Sequence, residues 1–191
     1  MIETYLDLKQ FMNDRTFYES VAEGKESEHY GWWGYCSCDD IFRDVKSKDG
    51  IAFRFEKNAD SNDNVRCEKQ SIDAHGVYCD KIAVAGYCSW GYFQETFKFE
   101  FEGETENGFV WFSDLVLLMR DTKKDYMDIQ YTDYCRSADP FTEIGVYSSE
   151  GRRTGYVYYT VFSFPEKRAL RRIVFPDNRL MSIMGITLIE S

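Results

Sequence analysis

The chain has 191 residues, of which 43% are hydrophobic and 17% aromatic, and its formal net charge is −10. This length suits a single domain, and the hydrophobic content is that of a globular protein rather than a disordered one. The negative charge repels phosphate backbones and anionic lipids, so we expect neither a nucleic-acid partner nor a membrane partner. The high aromatic content favours β-sheets, because flat side chains pack well on a pleated surface.

The N-terminal stretch MIETYLDLKQF has no basic segment followed by an apolar one, so no secretory signal is visible. No apolar run reaches the length of a membrane span. The six cysteines form an even set, which is compatible with disulfides. Because no export signal is visible, we expect buried thiols in a reducing compartment and a cytoplasmic location.

Residues 78–103 carry the clearest structural pattern. Residues 81–85 form a short apolar run, and residues 86–91 form a glycine-framed aromatic turn. The chain then places Phe97, Phe99 and Phe101 in strict alternation with polar residues. This alternation predicts a half-buried antiparallel strand.

Similar strand patterns, separated by turn signals, extend along the rest of the chain. The pattern predicts a turn or one short helix at residues 9–17, and leaves residues 115–119 open between strand and helix. Turns are expected at residues 58–64, at His75-Gly76, at 102–108 and at 176–178. The remaining predicted strands cover residues 4–8, 51–55, 71–73, 110–114, 142–147, 154–164, 170–175 and 184–189. About ten strands without a convincing amphipathic helix predict an all-β fold, an antiparallel β-sandwich or jelly roll, as one domain over residues 1–191.

Four segments, taken in order, resemble a known family. They are DNVRCEKQSI at residues 63–72, YCDKIAVAGYCSWG at 78–91, WFSD at 111–114 and IVFPDNRLMSIMGITLIE at 173–190. Together they resemble the galactose-binding-like β-sandwich domains that are appended to bacterial glycosidases. The closing turn is also similar to the one that ends the C-terminal β-domain of some bacterial alpha-mannosidases.

The resemblance implies a jelly-roll sandwich with an ancestral link to carbohydrates. The sequence indicates no cofactor, although a structural calcium ion near the chain ends, for which no ligands can be named, would fit the resemblance. The chain departs from the family pattern at Glu68-Lys69, where a glycine is usual, and at Phe175, where leucine is usual. Because the matched motifs are turns and core positions, they do not show that sugar binding survives, and a fold hosts many functions.

Aromatic residues in a glycine-framed stretch are the first candidates for ligand binding. Tyr30, Trp32 and Trp33 lie there, next to His29 and a pair of aspartates. A saccharide site needs flat aromatic platforms and polar side chains that hydrogen-bond the hydroxyl groups. The alternative interpretation is that the two tryptophans cover one end of the sandwich as part of its core.

Two further loops could contribute to the same site. Trp90 and Tyr92 lie in the second aromatic turn, and Arg136 and Asp139 lie in a third loop. The sequence does not show whether these three groups meet. All seven residues are therefore candidates for one saccharide-binding site.

Catalysis and metal binding have weaker support. Paired catalytic carboxylates need a separation of roughly 5 to 10 Å in a cleft, and Glu95 with Asp114 is the first pair to inspect. No serine or cysteine stands in a nucleophile motif beside either histidine, so no catalytic residue is assigned. Cys36-x-Cys38 with His29 and Cys67 lacks the second ligand pair that zinc sites usually show, so the metal ligands stay unknown.

Three functional hypotheses follow. The first is a non-catalytic sandwich that binds a saccharide through loop aromatics. The second is a structural or interaction protein that buries an aromatic face in a homodimer. The third is a carbohydrate-active enzyme with a jelly-roll fold.

Overall fold

The computed structural model describes residues 1–18, 41–47, 49–89, 93–112, 140–148 and 151–191, with only the backbone described for 140–148 and 151–155. One 3-10 turn, Lys9–Phe11, follows the first strand. The other elements described are ten strands: β1 (Ile2–Tyr5), β2 (Asp44–Lys46), β3 (Ala52–Arg54), β4 (Val65–Glu68), β5 (Ser71–Cys88), β6 (Phe93–Phe101), β7 (Thr105–Phe112), β8 (Pro140–Ser148), β9 (Gly151–Val174) and β10 (Asp177–Glu190).

The strands form one large antiparallel sheet and one small one. The large sheet has the order β1-β10-β5-β9-β6-β7, with β4 paired to β10 and β8 paired to β9, while β2 pairs with β3. Every strand pair is antiparallel, which confirms the all-β antiparallel prediction. Over the ranges described, no helix is long and apolar enough to cross a membrane.

Two strands are much longer than the sequence pattern predicted. Strand β5 joins the predicted strand at 71–73 to the apolar run at 81–85, and β9 joins the predicted strands at 154–164 and 170–175. The predicted turn at His75-Gly76 was wrong, because these residues form an irregularity inside β5 where pairing moves from Asp73–Arg172 to Val77–Leu170. Turn-forming residues end a strand only when no neighbouring strand continues the ladder, and here β9 continues it.

The aromatic turn predicted at residues 86–91 was wrong for residues 86–88. Gly86, Tyr87 and Cys88 are still paired with β10, so they belong to β5. Gly86 allows β10 to approach closely, since a Cβ atom at this position would lie 2.1 Å from the carbonyl oxygen of Ser182. The glycine therefore serves packing between strands rather than a turn.

The alternation in β6 is confirmed, and it explains how the core is built. Phe97, Phe99 and Phe101 are buried, whereas Lys98 between them is exposed. The ring of Phe99 packs 4.8 Å from that of Phe162 on β9, between centroids. These phenylalanine side chains thus lie on the buried face of the sheet, because alternate residues of a pleated strand point to the same face.

Three cysteines, Cys67, Cys79 and Cys88, are buried free thiols. Burial raises the pKa of Cys79 to about 11, so its reactive thiolate form is disfavoured at neutral pH. Burial also raises the pKa of Cys67 well above its ordinary value. These thiols behave as small apolar side chains. Cys36, Cys38 and Cys135 lie outside the described residues.

Arg168 joins β9 to the β6–β7 hairpin. Its guanidinium lies 4.2 Å from the ring centroid of Phe101 and 5.4 Å from that of Phe164. It also forms ion pairs with Glu104 and, at 2.9 Å, with Glu106. Its side chain is only 13% exposed. Stacking and ion pairing of a guanidinium shielded from water hold the hairpin against the sheet.

Replacing Arg168 by methionine is expected to lower the free energy of unfolding by about 1–2 kcal/mol, because the cation–π and ion-pair contacts are lost while the aliphatic part is kept. Urea denaturation of parent and variant measures the loss. Arg171→Met is the matched control, since Arg171 pairs with Glu102 on the open surface and should change stability by less than about 0.5 kcal/mol. Equal losses in the two variants would contradict this role of Arg168.

Candidate functional site

All seven candidate ligand-binding residues lie outside the described residues, so their side-chain positions are not part of the structure reported. What the structure describes is the residues that flank them. The candidates fall in three segments: Tyr30, Trp32 and Trp33 in 19–40, Trp90 and Tyr92 in 90–92, and Arg136 and Asp139 in 113–139.

The two flanks of segment 19–40 meet at the C-terminal end of β5. The ring centroids of Phe17 and Phe42 lie 5.9 Å apart, with the planes at 78°. Phe17 also packs edge-on against Tyr87 at 6.2 Å. Such edge-to-face pairs are favourable beyond the apolar area that they bury. The chain therefore enters and leaves this segment beside Tyr87.

The flanks of the other two segments meet at the neighbouring residue, Gly86. A Cβ atom at Gly86 would lie 2.9 Å from Cε2 of Phe112, the last residue of β7. Across the sheet, Tyr158 of β9 pairs with Gly86 on one side and with Pro140, the first residue of β8, on the other. Segment 113–139 thus begins and ends near Gly86, and segment 90–92 starts two residues after Cys88.

We name these six flanking residues the stem cluster: Phe17, Phe42, Gly86, Tyr87, Phe112 and Pro140. Apart from the neighbours Gly86 and Tyr87, its members are far apart in sequence, and they lie around one end of β5. Every candidate residue belongs to a segment that starts or ends beside this cluster.

A buried polar network holds the first flank in place. The carboxylate of Asp63 is fully buried and accepts hydrogen bonds from the backbone N–H groups of Thr16, at 3.1 Å, and Phe17, at 2.8 Å. It accepts a third from Nδ2 of Asn64 at 2.8 Å. Burial raises the pKa of Asp63 to about 6, against the opposing effect of these hydrogen bonds.

The same network extends to β5 and to the surface. The hydroxyl of Tyr87 donates to Oγ1 of Thr16, which also accepts from Nδ2 of Asn64 at 3.1 Å. Asp14, which is buried, forms a 2.7 Å ion pair with Arg66. Because buried polar groups are costly when they lack partners, this network specifies one position for the chain before residue 19.

Sequence reasoning missed the role of Asp63 and Thr16. The Asp63-Asn64 pair was noticed only as turn chemistry and as part of the family resemblance. Nothing in its spacing pointed to Thr16, because the contact joins residues 47 positions apart. A buried acid can be recognised only when its neighbours in space are known.

The proposed acid pair is only half described. Glu95 lies on β6 and its Oε1 accepts a hydrogen bond from Nδ2 of Asn178 at 2.7 Å, while Asp114 lies outside the described residues. For metals, the described ranges contain no group of three or more His, Cys, Asp or Glu side chains placed to hold an ion. Cys67 is buried, and its suggested partners His29, Cys36 and Cys38 lie outside the described residues. The calcium ion that would fit the resemblance stays a prediction.

Comparison of this chain with protein-family models and with curated proteins finds no match.

Proposed function

We propose that this protein is a non-catalytic, galactose-binding-like β-sandwich that binds a saccharide through Trp32, Trp33 and Trp90. The supporting observation is the stem cluster. The described residues that flank the three segments lie at one end of β5, beside Tyr87 and Gly86. Loops that leave a rigid sheet at one end are a common way to assemble a binding site.

The residue types in these segments suit a saccharide. Tryptophan rings offer flat apolar faces to the C–H groups of a sugar ring, and Trp90 would add a platform from a second segment. Arg136 offers only hydrogen-bond donors, and Asp139, when ionised, offers only acceptors. Together they can donate to the oxygen of a sugar hydroxyl and accept from its O–H. A saccharide site needs both the aromatic platforms and the polar pair. The flanks of the segments that carry them lie at the same end of β5, which supports a single site.

The proposal treats the protein as a binder rather than an enzyme. Of the acid pair to inspect first, Glu95 and Asp114, Glu95 accepts a hydrogen bond from Asn178 of β10. This hydrogen bond gives Glu95 a structural contact between two strands. An enzyme would need a second acid at a suitable distance, and the binding function needs none.

A glycan-array screen tests the proposal, with Trp32→Ala/Trp33→Ala and Trp90→Ala beside the parent. We expect one class of saccharide to bind the parent and to bind each variant at least tenfold more weakly. The loss follows from removing aromatic platforms, each of which contributes on the order of 1 kcal/mol or more.

Tyr78→Ala is the matched control, because Tyr78 is an exposed aromatic residue on β5, outside the stem cluster. It should bind as the parent does, and circular dichroism should show all the variants folded. If no saccharide binds, or if the tryptophan variants bind like the parent, the proposal fails. The homodimeric interaction protein would then be the hypothesis to pursue, by measuring mass in solution.

A further inference from the structure

A concave region lies towards the other end of β5, away from the stem cluster. It is an open cleft of about 730 Å³. This volume lies within the range of small-molecule sites. Its lining is mainly polar and comes from β5, β9 and the β6–β7 hairpin: Asp73, His75, Gly76, Glu100, Phe101, Gly103, Glu104, Thr105, Arg171 and Arg172.

Irregular pairing on both sides of β9 shapes this cleft. Arg172 pairs with Asp73 of β5 and with Glu100 of β6, and the next paired residue of β9 on both sides is Leu170. Arg171 is therefore an extra residue in the ladder with β6, while in the ladder with β5 it stands opposite three residues, 74–76. In a regular strand Arg171 and Arg172 would point to opposite faces, but a bulge turns a side chain, and both line the cleft.

The β5 wall of the cleft adopts a left-handed backbone. His75 has a φ of 54° and Gly76 a φ of 72°. This conformation is uncommon for a residue with a side chain and persists where the surroundings enforce it, often at functional sites. Here Asp73 Oδ1 accepts the backbone N–H of His75 at 2.6 Å, which secures the bulge.

Donors and acceptors alternate across the cleft. Arg172 uses Nε and Nη2 to bind Oε2 of Glu100, at 2.8 and 2.6 Å, and Arg171 uses Nη2 to bind Glu102 at 2.7 Å. Counting only described residues, Nη1 of Arg172, Oε1 of Glu100 and Oδ2 of Asp73 make no hydrogen bond. The ion pairs hold these groups in position while leaving hydrogen-bonding capacity open to a ligand.

This arrangement selects a class of ligand. A carboxylate or phosphate would satisfy the guanidinium of Arg172 but would bring negative charge against Asp73 and Glu100, which, when ionised, can accept hydrogen bonds but not donate them. A cation would meet the two arginines. A hydroxyl group both donates and accepts, so a row of hydroxyls can satisfy the carboxylates and the guanidinium groups together.

We propose that this cleft binds a neutral polyhydroxylated molecule, such as a polyol or the terminal unit of a sugar, between Asp73, Glu100 and Arg172. The site stands apart from the one proposed at the stem cluster and does not depend on it. A chain with both sites would hold hydroxylated ligands at two places along β5.

The test is an NMR titration of the ¹⁵N-labelled full chain with D-mannitol and, separately, methyl β-D-galactopyranoside. At millimolar concentrations we expect saturable shifts of the amide signals of Gly76 and Gly103 and of the Nε signal of Arg172. Arg172→Met should weaken binding at least tenfold, because the central donor is lost. Glu100→Gln should weaken it less, since an amide still offers one acceptor.

Arg179→Met is the matched control, since Arg179 forms a surface ion pair with Glu68 outside the cleft. It should leave the shifts unchanged. Trp32→Ala/Trp33→Ala should also leave them unchanged, and this result would distinguish the cleft from the saccharide site proposed at the stem cluster. The proposal is overturned if neither probe produces saturable shifts, or if the control weakens binding as much as Arg172→Met. It is also overturned if glucuronate or inorganic phosphate binds more tightly than the neutral probes, which would reveal an anion site.

Discussion

Gly86→Ala is expected to lower the free energy of unfolding by about 3 kcal/mol or more, the largest loss among the substitutions considered. The added Cβ would lie 2.1 Å from the carbonyl oxygen of Ser182 and 2.9 Å from Cε2 of Phe112. The carbonyl belongs to the backbone of β10, which pairs with β5 at this point, so it cannot rotate away. The two central strands would have to separate locally to make room.

Chemical denaturation monitored by tryptophan fluorescence measures this loss. Gly185→Ala provides the comparison, because its Cβ would come no closer than 3.1 Å and would meet the ring of Phe55, which can shift slightly. We expect about 1 kcal/mol or less for that variant. A Gly86→Ala protein as stable as Gly185→Ala would show that β5 and β10 have more freedom than the structure indicates.

Asp63→Ala is expected to have the second largest effect, a loss of about 3 kcal/mol at neutral pH. The substitution leaves the N–H groups of Thr16 and Phe17 and the amide of Asn64 without their acceptor in a fully buried place. Each buried donor that loses its partner costs about 1–3 kcal/mol, partly offset because a buried carboxylate is itself costly. Asp63→Asn should not restore stability, because both carboxylate oxygens accept N–H groups and an amide would face one of them with its own donor.

The pH dependence of the same variant gives an independent check. The pKa of Asp63 is about 6 in the folded protein and near 3.8 in the unfolded chain, so between these values the folded state binds more protons. The pH-dependent part of the contribution of Asp63 to stability is therefore fully present below pH 4 and is lost as the pH rises through 6. The difference between parent and Asp63→Ala should shrink by about 2 kcal/mol from pH 4.5 to pH 7.5. A difference that is constant or grows with pH would contradict the assigned burial of the carboxylate.

Secondary structure was predictable where the signal was local. The alternation of Phe97, Phe99 and Phe101 predicted β6 because side chains of a strand point to opposite faces in turn. The prediction was wrong where residues typical of turns lie inside a strand. His75-Gly76 has turn chemistry, yet β5 passes through it because β9 supplies pairing on both sides.

The candidate site was predictable only as a set of residue types. Aromatic and charged residues suited to a saccharide could be picked out from the sequence, and their positions lie outside the described residues. Their relation to one another could not be derived, since Phe17, Gly86 and Phe112 are separated by long stretches of chain. Asp63 was missed for the same reason, as its importance comes from burial and from distant backbone partners.

By itself, the sequence determined an antiparallel all-β protein. The two-residue period of a strand and the residue types of a turn are local patterns, so neighbouring residues are enough to recognise them. The tertiary structure alone decided which predicted strands join into β5 and β9 and which flanking residues meet in the stem cluster. It also decided that a bulge brings Arg171 and Arg172 to one cleft. These features depend on hydrogen bonds and packing between residues distant in the chain. Such pairings depend on the free energy of the whole sheet. This free energy cannot be read from any short stretch of sequence.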